Sequence, residues 1–383
     1  MIVIEGRAYY RGELRHLCIG IEDGVIKEIR KTLRGEDVYD YGERILLPGG
    51  VDVHVHFREP GLTHKEDFYT GTESAAVGGI TTVLDMPNTV PPATTAAALL
   101  EKREMASRRA NVDFGLYGGV ERSEDMEGLK DHCHAFKVYM AESFGRLSPP
   151  PEEVRRILQA LKRAGRRLAV HAEDPSHFNS LEETSLRDHW LARPDEAEEA
   201  AIRNLAAWHR DGVIHLAHLS SRLGLGAVAG SRFSLEVTPM HLLLDWHAPI
   251  GALGKVNPPL RNPEDREALW RAFSSGRIDV LASDHAPHTL GEKEDFLTAP
   301  PGAPNVETLY PMMFALVRRG RLSLEVLVRA LCRRPAELFG LRGKGTIEVG
   351  ADADIVVFDP RKMSKVRADD LHYRCGWTPF EGW

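Results

Sequence analysis

PGGVDVHVHFR, residues 48–58, is the stretch at which the pattern of this 383-residue chain changes. Before it, short apolar runs broken by glycine read as strands at Ile2–Glu5, Leu14–Ile21, Val25–Ile29 and Arg44–Leu47. From Val51 onward, apolar runs alternate with longer stretches of helical periodicity, the sign of βαβ units and a parallel sheet. Eight such runs can be counted: Val51–Phe57, Ile80–Met86, Val112–Val120, Ala135–Met140, Leu168–Ala172, Val213–Leu219, Ser234–Pro239 and Ile278–Ser283. Helical stretches such as Pro151–Ala164, Pro194–His209 and Pro263–Ser275 lie between them. Eight parallel strands close a barrel, so the expected fold class is α/β, a (β/α)8 TIM-type barrel over residues 51–342. Glycine-rich strand patterns return at Gly345–Val349 and Ile355–Phe358. The first and eighth barrel strands are neighbours, so segments 1–50 and 343–383 emerge side by side. One small β-sandwich domain built from both is the expectation.

Composition sets the outer limits. Hydrophobic residues make up 43% and charged residues 27%, with a net charge of −7, as in a globular domain with a sizeable core. Nothing in that balance points to nucleic acid or to a membrane surface, and the basic cluster Lys162–Arg167 reads as a solvated helix end. Cys18, Cys133, Cys332 and Cys375 form no CxxC pair, which fits reduced thiols in a cytoplasm better than disulfides or a cysteine zinc site. The first residues lack a basic stretch followed by an apolar one, and no run is long enough to span a bilayer. The expectation is a soluble cytoplasmic protein. A homo-oligomer is compatible with the sequence, which fixes no oligomeric state.

Five of the eight strands finish in a residue able to bind or bridge a metal. Strand one ends His54-Val55-His56, and alternate side chains on a strand share a face, so both imidazoles turn to the barrel axis. Strand four carries Lys137, strand five ends at His171, strand six at His218 and strand eight at Asp284. Catalytic residues of such barrels sit at the carboxyl ends of strands. Taken singly, each has an ordinary reading: a core histidine, an ion-paired lysine, a helix-capping aspartate. A second HxH, His132-Cys133-His134, falls before strand four and reads as surface. The joint placement at one mouth is what points to a metal centre. No G-x-S-x-G elbow or P-loop is present to suggest other chemistry.

The strings GGVDVHVHFREPGLTHKEDFYTGT, GGITTVLDMPNT, FKVYM, VHAED, HLAHLSS, EVTPMHLLL, KVNPPLR, ASDHAPHT, PAELFGL, KGTIEVGADADIVVFDP and WTPFEGW span nearly the whole chain. In order and spacing they resemble the amidohydrolase superfamily, within it the cyclic-amidase branch of dihydroorotases, allantoinases and hydantoinases. The resemblance implies a (β/α)8 barrel with a sandwich from both termini, and two divalent ions, usually zinc. It implies His54, His56 and Asp284 as ligands of one ion, and His171 and His218 as ligands of the other. Lys137 is then the bridge, as N6-carboxylysine, although a salt-linked lysine beside a single metal stays open. A lysine between cations is pushed towards its neutral amine, which can add carbon dioxide. The implied reaction is attack of a metal-activated water on a cyclic amide, with Asp284 as proton carrier.

The substrate reading rests on fewer residues. Arg58 shares the parity of His54 and His56, and its planar fork pairs with a carboxylate. The resemblance implies Arg58, Asn88, Asn257 and His288 as substrate-binding residues, and His288 with the WTPFEGW ending favours the dihydroorotase group. The substrates implied are dihydroorotate and N-carbamoyl-aspartate. An allantoinase or hydantoinase is the alternative; a non-catalytic relative would have lost ligands, and all six positions are kept. Relatives often read EVTPHHLLL where this chain has Met240, which reads as a packing residue. Glu173, Asp174, His241 and His285 read as residues that orient ligands.

Overall fold

Two sheets organise the computed structural model, which describes residues 1–141, 147–209 and 212–383. In chain order the strands are β1 (Ile2–Tyr10), β2 (Glu13–Glu22), β3 (Val25–Arg30), β4 (Asp37–Pro48), β5 (Gly50–Val55), β6 (Ile80–Asp85), β7 (Asp113–Gly119), β8 (Ala135–Tyr139), β9 (Arg167–His171), β10 (Ile214–Leu216), β11 (Ser234–Val237), β12 (Val280–Leu281) and β13 (Ile355–Phe358).

Strands β5 to β12 lie in sequence order, every pairing parallel, as an eight-stranded (β/α)8 TIM-type barrel. A bridge between Val55 and His285 closes it, with the His56 N–H donating to the His285 carbonyl at 2.7 Å. The last strand is shorter than expected. Beyond Ala282 the Ser283 N–H turns from the ladder to the Asp52 carboxylate, at 3.1 Å. Helix Pro151–Ala164 illustrates the outer layer. Proline starts it, Gly165 in the left-handed region ends it, and Val154, Ile157, Leu158 and Leu161 repeat at helical spacing to bury one face.

Inside the barrel the two ends differ. An apolar layer of Val53, Leu84, Tyr117, Ala135, Ala169 and Val280 packs with Phe339 at the amino-terminal end. Two residues further along β8 and β9, past Ala135 and Ala169, stand Lys137 and His171; Asp284 follows Ala282 in the same way. Arg167, expected on a solvated helix end, instead begins β9. Its guanidinium donates to the carbonyls of Leu338 and Gly212, at 2.9 and 2.7 Å, under the barrel floor.

The chain ends share the other sheet, of order β13-β4-β1-β2-β3. β13 pairs antiparallel with β4, while the segment just before it bonds the opposite edge: the Ile26 N–H donates to the Ala351 carbonyl at 2.9 Å. The expected strand Gly345–Val349 is not one. Gly345 has φ +72° and its α-carbon abuts the Cys332 carbonyl, so the chain turns there, although Ile347 is buried among Ala8, Ile19 and Leu46. No helix among the described residues is long and apolar enough to cross a membrane.

Candidate functional site

The mouth of the barrel gathers the strand-end residues around one pocket, lined by His54, His56, Arg58, Asn88, Tyr139, His171, His218, Asn257, Asp284, His288 and the wall Pro300–Gly302. His54 of β5 and His56 just beyond it reach it through a break in the ladder with β6 between Asp52 and Val55. Val51 and Val53 pack in the barrel interior, and Val55 and Phe57 pack towards the helices. The break shifts parity by one residue, so His54 and His56 also face inward. Three residues of the mouth hold backbones that non-glycine residues seldom adopt: Arg58, His218 and Asp284, at φ +64°, +36° and +47°. Such conformations persist where surrounding structure enforces them, and they gather at functional sites.

The hydrogen bonds fix which nitrogen points where. His54 Nδ1 lies 2.7 Å from Glu236 Oε1, and His56 Nδ1 lies 2.6 Å from Asn88 Oδ1. Both partners are acceptors, so each imidazole carries its proton on Nδ1 and turns the Nε2 lone pair to the pocket. Both Nε2 atoms then meet the same Asp284 oxygen, at 3.3 and 3.1 Å. Burial pushes His56 down to about 4, so its ring is neutral at ordinary pH. Burial opposes ionisation of Asp284, but His54, His56 and Lys137 hold its carboxyl below the usual range. Three lone pairs thus converge within 4.8 Å of one another, an arrangement able to hold a cation.

Beside them, His171 Nε2 lies 2.6 Å from Glu173, and its Nδ1 lies 3.1 Å from His218 Nε2, whose Nδ1 has no partner among the described residues. Burial pushes His218 well below the usual histidine range. Lys137 is 1% exposed, and its Nζ has no hydrogen-bond partner among the described residues. Burial pushes it down to about 8. An amine so placed is costly unless something neutralises or ligates it.

The other half of the pocket is cationic. Arg58, buried, donates through Nε to the Pro287 carbonyl at 3.0 Å, and its Nη2 lies 3.1 Å from His288 Nε2. Burial draws the guanidinium down to about 10. Lys65 Nζ lies 3.0 Å from His288 Nδ1 and 2.6 Å from Glu292. Burial, then Arg58, Lys65 and Lys293, hold His288 far below the usual histidine range, so the ring is neutral. Asn257 Oδ1 lies 2.9 Å from His189 Nε2, and His241 Nε2 lies 3.0 Å from the Pro258 carbonyl, so two histidines hold this loop.

Met240 is buried in the core. Glu173 contacts His171; Asp174 instead caps the turn at Pro175–His177, and His285 accepts from the Asn305 N–H at 3.2 Å, away from the pocket. His132 and His134 precede β8, outside the pocket. The sequence reading missed Glu236, which bonds His54, His215 and the His218 N–H at 2.7, 3.0 and 2.9 Å. A lone glutamate in the apolar run Ser234–Pro239 was the available signal. Tyr139, Lys65 and Lys293 left none.

The family model described as "Amidohydrolase family" matches residues 45–374. A dihydroorotase of Methanosarcina mazei is 42% identical, the match covering 98% of this chain and 89% of that one. A dihydroorotase of Halobacterium salinarum is 40% identical over 94% of this chain and 90% of its own. Among solved structures, the L-hydantoinase (dihydropyrimidinase) of Arthrobacter aurescens superposes with a TM-score of 0.93 at 31% identity, covering 100% of this chain and 92% of that one. A dihydropyrimidinase of Brevibacillus agri gives 0.91 at 29% identity, covering 100% and 91%.

Proposed function

This chain belongs to the amidohydrolase family, and on that premise we propose that it acts as a dihydroorotase, interconverting N-carbamoyl-L-aspartate and (S)-dihydroorotate in pyrimidine biosynthesis. The observation that carries the substrate is the cationic half of the pocket, where Arg58 and a neutral His288 stand across from the metal-ligand half. A ring with one carboxylate matches that division: carboxylate against Arg58, amide against Asp284. Hydantoin and allantoin rings carry no carboxylate and would leave Arg58 buried without a counter-ion. The hydantoinases among the solved neighbours keep that class as the second reading.

The donor set suits two zinc ions, one on His54, His56 and Asp284, the other on His171 and His218. The orphaned Nζ of Lys137 supports a bridge of N6-carboxylysine. Its neutral amine forms a bond to the carbon of carbon dioxide and releases one N–H proton, leaving an anionic carbamate. Divalent ions held by these residues would supply a water of lowered pKa and polarisation of the amide carbonyl.

The residues do the rest. Glu236 and Asn88 hold the imidazoles of His54 and His56 in one tautomer. Asp284 accepts the proton of the attacking water and returns it to the departing ring nitrogen. Arg58, with Asn88 Nδ2 and His288, grips the carboxylate and fixes which amide bond meets Asp284. Asn257 contacts the ring, its carbonyl oxygen occupied by His189. The reading also places the enzyme in the cytoplasm and divides the chain at residues 50 and 342.

The test is a side-by-side assay of purified, zinc-loaded protein with dihydroorotate, allantoin and hydantoin. Dihydroorotate should have the highest kcat/KM; a parent that prefers allantoin or hydantoin overturns the substrate assignment and leaves the family.

A further inference from the structure

The WTPFEGW string at residues 377–383 lines no part of the pocket, yet the segment that carries it is fastened across the pocket's cationic half. Arg374 donates to the Thr63 carbonyl at 2.6 Å and pairs with Asp67, tying the segment to the loop after β5. Three residues later the indole N–H of Trp377, 3% exposed, donates to the backbone carbonyl of His288 at 2.7 Å, tying it to the loop after β12. Fully buried Phe380 anchors the last residues of the chain. These two loops supply Arg58 and Lys65 on one side and His288 and Glu292 on the other.

Lys293 completes the arrangement from behind. Its ammonium lies 5.8 Å from the centre of the Trp377 ring and donates to the carbonyls of Lys255, Pro300 and Gly302, at 3.1, 2.9 and 3.1 Å. Pro300 and Gly302 are pocket wall. The wall stands close to His288: a β-carbon on Gly302 would meet the Ala286 carbonyl at 2.4 Å and the His288 ring at 3.0 Å. Buried without a carboxylate of its own, Lys293 is drawn down to about 7. Arg58 and Lys293 flank one neutral ring as like charges, while Lys65 is offset by its pair with Glu292 at 2.6 Å.

We propose that Trp377 and Lys293 are positioning residues that set the affinity for the substrate carboxylate by fixing the His288 loop and the 300–302 wall. The inference rests on the dihydroorotase reading above. Neither residue touches substrate or metal ligands, so their loss should act on binding and spare the chemical step.

The experiment compares zinc-loaded parent, Trp377→Phe, Lys293→Met and Arg58→Met with dihydroorotate, recording KM, kcat, metal content and Tm. Trp377→Phe removes the single N–H donor and keeps an aromatic ring. It should raise KM about three- to tenfold with kcat within about twofold, the loss expected for one neutral hydrogen bond. Lys293→Met, which removes three hydrogen bonds to carbonyls and leaves the Lys255 carbonyl only the Gly302 N–H, should raise KM further, and it carries the test if Trp377→Phe does not fold. Metal content stays parental in both. A KM unchanged in these variants, or a loss confined to kcat or Tm, overturns the proposal. Arg58→Met separates the two levels. If it leaves kcat/KM intact, the carboxylate reading fails and this inference with it; if it loses activity while Trp377→Phe keeps the parental KM, only the inference fails.

Discussion

Lys137 and Asp284 stand out among single residues because each sits where an isolated protein would not keep it. The buried Nζ of Lys137 has no hydrogen-bond partner among the described residues, only the face of the Tyr139 ring 4.9 Å away. Lys137→Met should therefore abolish activity and yet stabilise the metal-free protein, by about 1–3 kcal/mol, the usual penalty of a buried unpaired polar group. Thermal unfolding in the presence of a chelator measures it, and a lower Tm for the variant would mean that the lysine has a partner in solution. Lys137→Ala should regain part of its activity with added short carboxylic acids, which can supply the missing oxygens. Asp284→Asn preserves shape and removes the proton acceptor. Its kcat should drop by ~10²–10⁴, the range of general acid–base catalysis, and a variant keeping a tenth of parental kcat would take Asp284 out of the proton path. Replacing Arg58 with Met should cost roughly ten- to a hundredfold in kcat/KM for dihydroorotate, because a hydrogen bond to a charged group contributes ~1.5–3 kcal/mol. Its metal content should equal the parent's.

Among the elements, β11 carries a prediction of its own. Glu236 fixes the tautomer of His54 from inside the barrel. Glu236→Gln should weaken zinc binding by about 10–100-fold, as for other residues that orient a metal ligand. Titration of the apoprotein against a competing chelator reads this directly, and parental affinity would assign Glu236 to packing alone. Elements also mark what the sequence made legible. Apolar periodicity located helix Pro151–Ala164 to the residue and the barrel strands to within a few residues, because local burial dictates both. His54 and His56 were readable from parity; the break in the ladder that also turns Val51 and Val53 inward was not, since it depends on the pairing with β6. Gly345–Val349 resembled a strand by composition, but its course is set by a contact with Cys332, distant in the chain. The cationic half of the pocket was half legible. Arg58 and His288 lie beside proposed metal ligands in sequence, whereas Lys65 and Lys293 come from loops whose meeting only the closed barrel arranges.

For the whole molecule, the proposed metal centre would link ion binding to the fold. The proposed ligands come from β8, β9, β5 and its end, and the segments just after β10 and β12, so ions bound by all of them would favour the closed barrel over the unfolded chain. Stripping the metal should lower Tm, and zinc restored to 100 times its Kd should return about 2.7 kcal/mol. Equal melting curves with and without chelator would show that the barrel closes independently of its ions. The five-stranded sheet raises a different matter, the order of events on the ribosome. β1 to β4 are translated before the barrel, but the partners of both outer edges, Ala351 beside β3 and β13 beside β4, are translated only after the entire barrel. Throughout that interval the nascent sheet displays two rows of unsatisfied backbone groups, the state most prone to pairing with another chain. A sheet made ahead of the barrel is thus among the last parts to be sealed, and a holdase that recognises bare strands would have its longest engagement there.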